Sequence, residues 1–160
     1  MLARKLRRAA ASAEPFEKFL AASISASPYI TTYGQDVDTF TKLANPATLP
    51  TSYSTGVAFS ADGTYMAVAN NASPFVTIYK RSGDTFTKLA NPATLPTDTC
   101  QGVAFSADGT YMAVANDASP FVIIYKRSGD TFTKLANPAA LPAGFSTGVA
   151  FYPRAFEGPI

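Results

Sequence analysis

Carboxylates recur along the chain at Asp62, Asp84, Asp108 and Asp130, and adjacent cations at Lys80-Arg81 and Lys126-Arg127. Two carboxylates held close together could share acid and base duties, and a basic pair could contact a phosphate or an acidic ligand. Each acid, however, stands beside glycine or a Ser-Gly pair, where Asp supports a tight turn. Acids repeated in this way give no reason to prefer one pair as a site. The basic pairs read as solvated charges in a turn between strands. Cys100 is the only cysteine, and with no histidine or second cysteine to activate or resolve it, it reads as an incidental loop thiol. The chain has no histidine at all, which removes the commonest metal ligand and the commonest general base. No glycine-rich phosphate loop is present. Phe59, Tyr65, Phe75, Tyr79 and their copies read as core and not as a platform for bases. The expectation is a protein that is not an enzyme and that uses no metal or cofactor.

The elements that must position these residues are repeats. Gly56 to Gln101 is written out almost in full again as Gly102 to Thr147, at an offset of 46 residues. Residues 27–55 match the second half of the unit, and Gly148-Val149-Ala150-Phe151 restates its opening. A fixed period of this length sets the architecture before any local feature does.

Within the unit, Gly56-Val57-Ala58-Phe59-Ser60 alternates as a short buried strand. Ala61-Asp62-Gly63 is a hairpin signal. Thr64 to Asn70 predicts a second strand, with Tyr65, Ala67 and Ala69 facing one way and Met66 and Val68 the other. Asn71-Ala72-Ser73-Pro74 breaks it, and Phe75 to Tyr79 predicts a third strand rich in β-branched and aromatic residues. Lys80 to Asp84 reads as a turn, and Thr85 to Leu89 as a polar fourth strand. The proline-containing stretch from Asn91 to Thr97 then crosses to the next unit, because proline has no donor for a ladder.

Four short antiparallel strands and a crossover, repeated, make the pattern of a β-propeller blade. The run GVAFSADGTYMAVAN followed by FVTIYKRSG resembles the WD-repeat β-propeller family over about residues 27 to 151. Tyr79-Lys80 and Tyr125-Lys126 stand where that family's Trp-Asp pair would be, and the Gly-His pair is absent. The expected architecture is all-β: full blades at 56–101 and 102–147, partial ones at 27–55 and 148–151. A basic helical segment at 1–26 and a non-repeat tail at 152–160 flank them. Closed propellers need roughly four to eight blades, so the chain is expected to self-associate through its incomplete blades or to be part of a longer array.

The helical expectation for residues 1–26 comes from their content of Ala, Leu, Lys, Arg and Glu. They hold Arg4, Lys5, Arg7 and Arg8, while the rest of the chain, at a net charge of +2 overall, is close to neutral. That argues against a nucleic-acid-binding body. No apolar core of a secretion signal and no bilayer-spanning run are visible, so no membrane partner and a cytoplasmic location are expected by default.

One pattern points towards function. The two full units differ at eight positions: Asn71/Asp117, Thr77/Ile123, Thr94/Ala140, Thr97/Ala143, Asp98/Gly144, Thr99/Phe145, Cys100/Ser146 and Gln101/Thr147. All but Thr77/Ile123 lie in the two connections that leave an up-and-down blade on the same face. The partial unit fits, with Tyr53 in the same crossover. A recognition face of varied loops on a fixed scaffold is one reading, and simple tolerance of change in exposed loops is the other. The candidate binding residues are Tyr53, Asn71, Asp98, Gln101, Asp117 and Phe145, facing a protein or glycan partner in a non-catalytic scaffold. A purely structural array is the alternative. A propeller-type hydrolase or lyase is weighed against both and disfavoured by the missing histidine.

Overall fold

A computed structural model describes residues 18–152. All regular structure among them is β, in three antiparallel sheets. The first holds β1 (Lys18–Ser23), β2 (Ile30–Asp36) and β3 (Thr39–Lys42). The second holds β4 (Ser54–Phe59), β5 (Tyr65–Asn70), β6 (Val76–Ser82) and β7 (Thr85–Lys88). The third repeats it with β8 (Cys100–Phe105), β9 (Tyr111–Asn116), β10 (Val122–Ser128) and β11 (Thr131–Lys134). Strand order follows chain order in every sheet, so each is a meander.

The sheets stack because the middle strands are apolar on both sides. Every residue of β5 is buried. Met66 and Val68 pack towards the first sheet with Tyr79 and Phe86, while Tyr65, Ala67 and Ala69 pack towards the third with Met112, Val114 and Tyr125. Burying one such large apolar side chain contributes about 1.5–3 kcal/mol. Contacts between sheets recur at the 46-residue offset. Phe86 meets Phe19 edge-on at 5.9 Å, and Phe132 meets Tyr65 edge-on at 5.9 Å. The Arg81 guanidinium lies 4.5 Å from the Phe19 ring centre, and that of Arg127 lies 4.7 Å from the Tyr65 ring centre.

The turns follow their residues. Ser60 N–H donates to the Tyr65 carbonyl and Gly63 N–H to the Ser60 carbonyl, with Gly63 in the left-handed region at φ +67°. That conformation suits glycine because it has no Cβ to clash. β1 and β2, β5 and β6, and β9 and β10 are joined by turns with cis bonds at Ser27-Pro28, Ser73-Pro74 and Ser119-Pro120, each closed by the aromatic residue after proline donating its N–H three residues back.

Three expectations need correction. Residues 18–23 form strand β1, not the end of a helix; their alternation Phe19, Ala21 against Leu20, Ala22 has the period of a strand, and the second sheet gives Phe19 and Ala21 a surface to bury against. The rest of that predicted helical segment, residues 1–17, and the tail residues 153–160 lie outside the described residues. Lys80-Arg81 and Lys126-Arg127 are within β6 and β10 and not in turns, because the hairpins close later at Gly83 and Gly129. Residues 148–151 form no strand, since no second strand follows them to supply a ladder among the described residues.

Candidate functional site

The acids sort into two groups. Asp62 and Asp108 build turns: Oδ1 of Asp62 accepts from Ser60 Oγ at 2.5 Å and Thr64 N–H at 3.0 Å, and Oδ2 accepts from Thr64 Oγ1 at 2.7 Å. Asp108 repeats this with Ser106 and Thr110 at 2.6, 3.0 and 2.7 Å. Hydrogen bonds from Ser60 and Ser106, ahead of those from the threonines, hold both carboxyls down at about 2. Asp130 does something else. It accepts from Tyr65 Oη at 2.7 Å and pairs with Lys80 Nζ at 2.9 Å, so it ties the third sheet to the second. The Tyr65 hydrogen bond, then that of Lys80, lowers its pKa.

Cys100 is not a loop thiol. It opens β8 and is fully buried, where burial, then the negative charges of Asp117 and Asp98, push its thiol up to about 12. It is chemically quiet at neutral pH.

Four of the differing positions come together on one rim. The connection at residue 71 of the second sheet and the crossovers at 53 and 99 lie side by side: Asn71 N–H donates to the Tyr53 carbonyl at 3.2 Å, and Asp117 N–H to the Thr99 carbonyl at 2.9 Å. Thr99 Oγ1 donates to the Asn71 carbonyl at 3.1 Å, and Asn71 Nδ2 reaches Thr99 Oγ1 at 3.4 Å. Gln101 Nε2 donates to Asp117 Oδ2 at 2.9 Å. Asn71, Thr99, Gln101 and Asp117 thus form one continuous polar strip where β4 and β8 begin. The other carboxylate oxygen, Asp117 Oδ1, is buried and accepts no hydrogen bond from the described residues. A buried carboxylate oxygen without a donor is costly unless a ligand or water supplies one.

Not every candidate joins the strip. The Asp98 carboxylate bonds its own crossover through Thr99 N–H at 2.7 Å. Tyr53 and Phe145 are exposed apolar rings at the edge of the same face, 42% and 68% accessible. Thr99 was missed as a site residue, although it is one of the eight differing positions, paired with Phe145. Among the described residues no group of three Cys, Asp or Glu side chains is placed to hold a metal ion. A groove of about 250 Å³ between Ala90–Thr94 and Asp130–Lys134 lies at the outer strand of the third sheet, away from this strip.

No protein-family model matches the chain, and no curated protein matches it. Solved structures do. It is similar to two putative 6-phosphogluconolactonases: one from Bacteroides fragilis (TM-score 0.66, 16% identity, 83% of this chain and 39% of that one); the other from Bacteroides uniformis (TM-score 0.57, 16% identity, 81% and 41%). A protein from Lactobacillus plantarum matches with TM-score 0.59 and 19% identity over 74% of this chain and 36% of that one. The fold is propeller-like. The chain spans roughly two fifths of the length of these structures. The expectation that the protein is not an enzyme is thereby overturned: structures of this fold include two that carry an enzyme's name. Nor does any helix among the described residues have the length and apolarity to cross a membrane.

Proposed function

We propose that the polar strip on the loop rim binds a hydroxyl-rich ligand, a glycan or a sugar derivative. One observation carries this: Asp117 presents a buried carboxylate oxygen with no donor, beside Gln101 and next to the Asn71–Thr99 pair. Carboxylate and amide groups held in place by the backbone match the alternating donors and acceptors of sugar hydroxyls. The exposed rings of Tyr53 and Phe145 on the same face offer apolar surface to the C–H faces of a sugar. A protein segment rich in hydroxyl and amide groups would meet the same residues. The test is an oligosaccharide array followed by calorimetric titration of the hits. Asp117→Asn is expected to weaken binding by at least about tenfold, the loss of one charge-assisted hydrogen bond, with the melting temperature kept. A blank array, or binding indifferent to residue 117, would sink the proposal.

A second reading has its own support in the two lactonase-named structures of this fold. Asp117 Oδ1 would take a proton from a water whose oxygen attacks the carbonyl of a sugar lactone, and as the ring C–O bond breaks the departing oxygen would take that proton back from Asp117, giving the hydroxy acid. Acid release from a sugar lactone, measured at constant pH and abolished by Asp117→Asn, separates this reading from binding alone.

A further inference from the structure

We propose that two copies of this chain close into a single ring of six sheets, each copy supplying the inner strand that the other's first sheet lacks among its described residues. Among the described residues the first sheet begins with a second-position strand. Phe19 in β1 stands 46 residues before Tyr65 in β5 and makes the same edge-on ring contact and the same contact with an arginine. β5 and β9 each pair with an inner strand, β4 and β8, yet β1 has none among the described residues. The repeat position of Gly56–Phe59 upstream of β1 reads Ala10-Ala11-Ser12-Ala13, without the GVAF motif.

The missing motif is at 148–151. Gly148-Val149-Ala150-Phe151 is a further copy of it, and its start already lies where an inner strand belongs. A Cβ on Gly102 would meet Gly148 Cα at 3.2 Å, as one on Gly56 would meet Gly102 Cα at 3.1 Å. The β4–β5 ladder pairs Gly56 with Ala69, Val57 with Val68, Ala58 with Ala67 and Phe59 with Met66. The same register sets Gly148 opposite Ser23, Val149 opposite Ala22, Ala150 opposite Ala21 and Phe151 opposite Leu20 of a second copy.

The faces that would meet are complementary by the chain's own example. Phe86 and Phe132 are buried, 4% and 3% accessible, by the sheet before them, but Phe40 in the same repeat position is 51% accessible, and Leu20 beside it 47%. Tyr111 on the third sheet repeats Tyr65, so it would receive Phe40 of the second copy as Tyr65 receives Phe132. Lys80 and Tyr65 converge on Asp130. Lys126 and Tyr111 are their repeats, and Asp38 is the repeat of Asp130. Lys126 and Asp38 are both exposed, with opposite charges ready to pair. Tyr79 and Tyr125 donate to the carbonyls of Thr48 and Thr94, which assigns Tyr33 to the carbonyl of Ala140 in the second copy.

The number follows from closure. With the three sheets of the described residues, one chain closing on itself would make a ring of three and three chains a ring of nine, outside the roughly four to eight that propellers use. Two chains make six, related by a twofold axis. The mouth of the enclosed channel would carry the rim strips of both copies. This holds whatever the rim binds.

Light scattering on a sizing column tests it. The native chain is expected at twice 16.8 kDa. Asp38→Lys alone and Lys126→Glu alone should each raise the dissociation constant by about tenfold or more, by setting like charges together. Both changes in one chain should restore it, because the two exchanged charges are again opposite and pair across the interface. Phe40→Asp should raise it at least about a hundredfold, given what losing a buried Phe costs at each of two contacts. All three sites are solvent-exposed in the single chain, so circular dichroism should show its sheets intact. A monomer at about 100 µM, an open-ended polymer, or a dimer indifferent to these changes would overturn the proposal.

Discussion

Thr77→Val is the sharpest probe of how this repeat is held together. Thr77 is fully buried in β6, and its Oγ1 accepts a hydrogen bond from Asn70 Nδ2 at 2.7 Å, with Asn70 equally buried. Valine keeps the shape and removes the oxygen, leaving an amide donor stranded in the core. An unsatisfied buried donor costs about 1–3 kcal/mol, and the gain from a buried methyl offsets part of it. The net loss should be about 1–2 kcal/mol, which lowers the melting temperature by roughly 2–8 °C for a chain of this size. The natural sequence contains the matching control. The third sheet carries Ile123 at this position, and there Asn116 Nδ2 has turned to the Ala118 carbonyl at 2.6 Å and to Thr97 Oγ1 at 3.1 Å. Ile123→Val should therefore cost only the methylene, about 0.5–1.5 kcal/mol, with no polar penalty. Urea unfolding of Thr77→Val, Asn70→Ala and the double variant gives the coupling directly. It should be at least about 1 kcal/mol, because Thr77→Val has no amide to strand once Asn70 is gone. Strict additivity would refute the reasoning, as would an Asn70 that swings to Ala72 at no cost.

Other consequences can be checked in the same assays. Gly56→Ala would set a Cβ 3.1 Å from Gly102 Cα and 3.2 Å from the Gln101 carbonyl, both backbone atoms that cannot swing aside, so overpacking should cost about 1–3 kcal/mol in chemical denaturation. Tyr79→Phe should lose about 1 kcal/mol, because the Thr48 carbonyl that accepts from Tyr79 Oη at 2.9 Å loses its donor; Tyr125→Phe should match it through Thr94. Asp62 and Asp108 are held at about 2, below their unfolded value of 3.8. Their contribution is therefore full above about pH 4 and lost as pH falls towards 2. Melting temperatures across that window should drop, and the drop should shrink in Asp62→Asn with Asp108→Asn.

Much of the fold was legible because a repeat states its own rules several times. The alternation of Tyr65, Ala67 and Ala69 against Met66 and Val68 predicted a strand buried on both sides, and the structure divides those residues between two neighbouring sheets. The Asp-Gly turn and the proline crossover also fell where their backbone chemistry requires. β1 escaped because Leu20, Ala21 and Ala22 favour a helix and Phe19 is the one strong strand former among them, so only the second sheet beside them makes the extended form worthwhile. Lys80 and Arg81 misled for a related reason. Polar residues suggest a turn, but the stems of these side chains run along the sheet, with Arg81 over Phe19 and Lys80 reaching Asp130.

The candidate site shows the same division. Which positions vary is written in the sequence, and so is the face they share, since both follow from strand count and connection order. That Asn71, Thr99, Gln101 and Asp117 touch while Asp98 turns back on its own crossover was decided only when three sheets were stacked. So was the burial of Asp117 Oδ1 without a donor, and of Phe86 but not Phe40. Local residue types set a strand, a turn and a period. What each side chain meets depends on the neighbouring sheet, and identical repeats acquire different surroundings wherever a neighbour is missing.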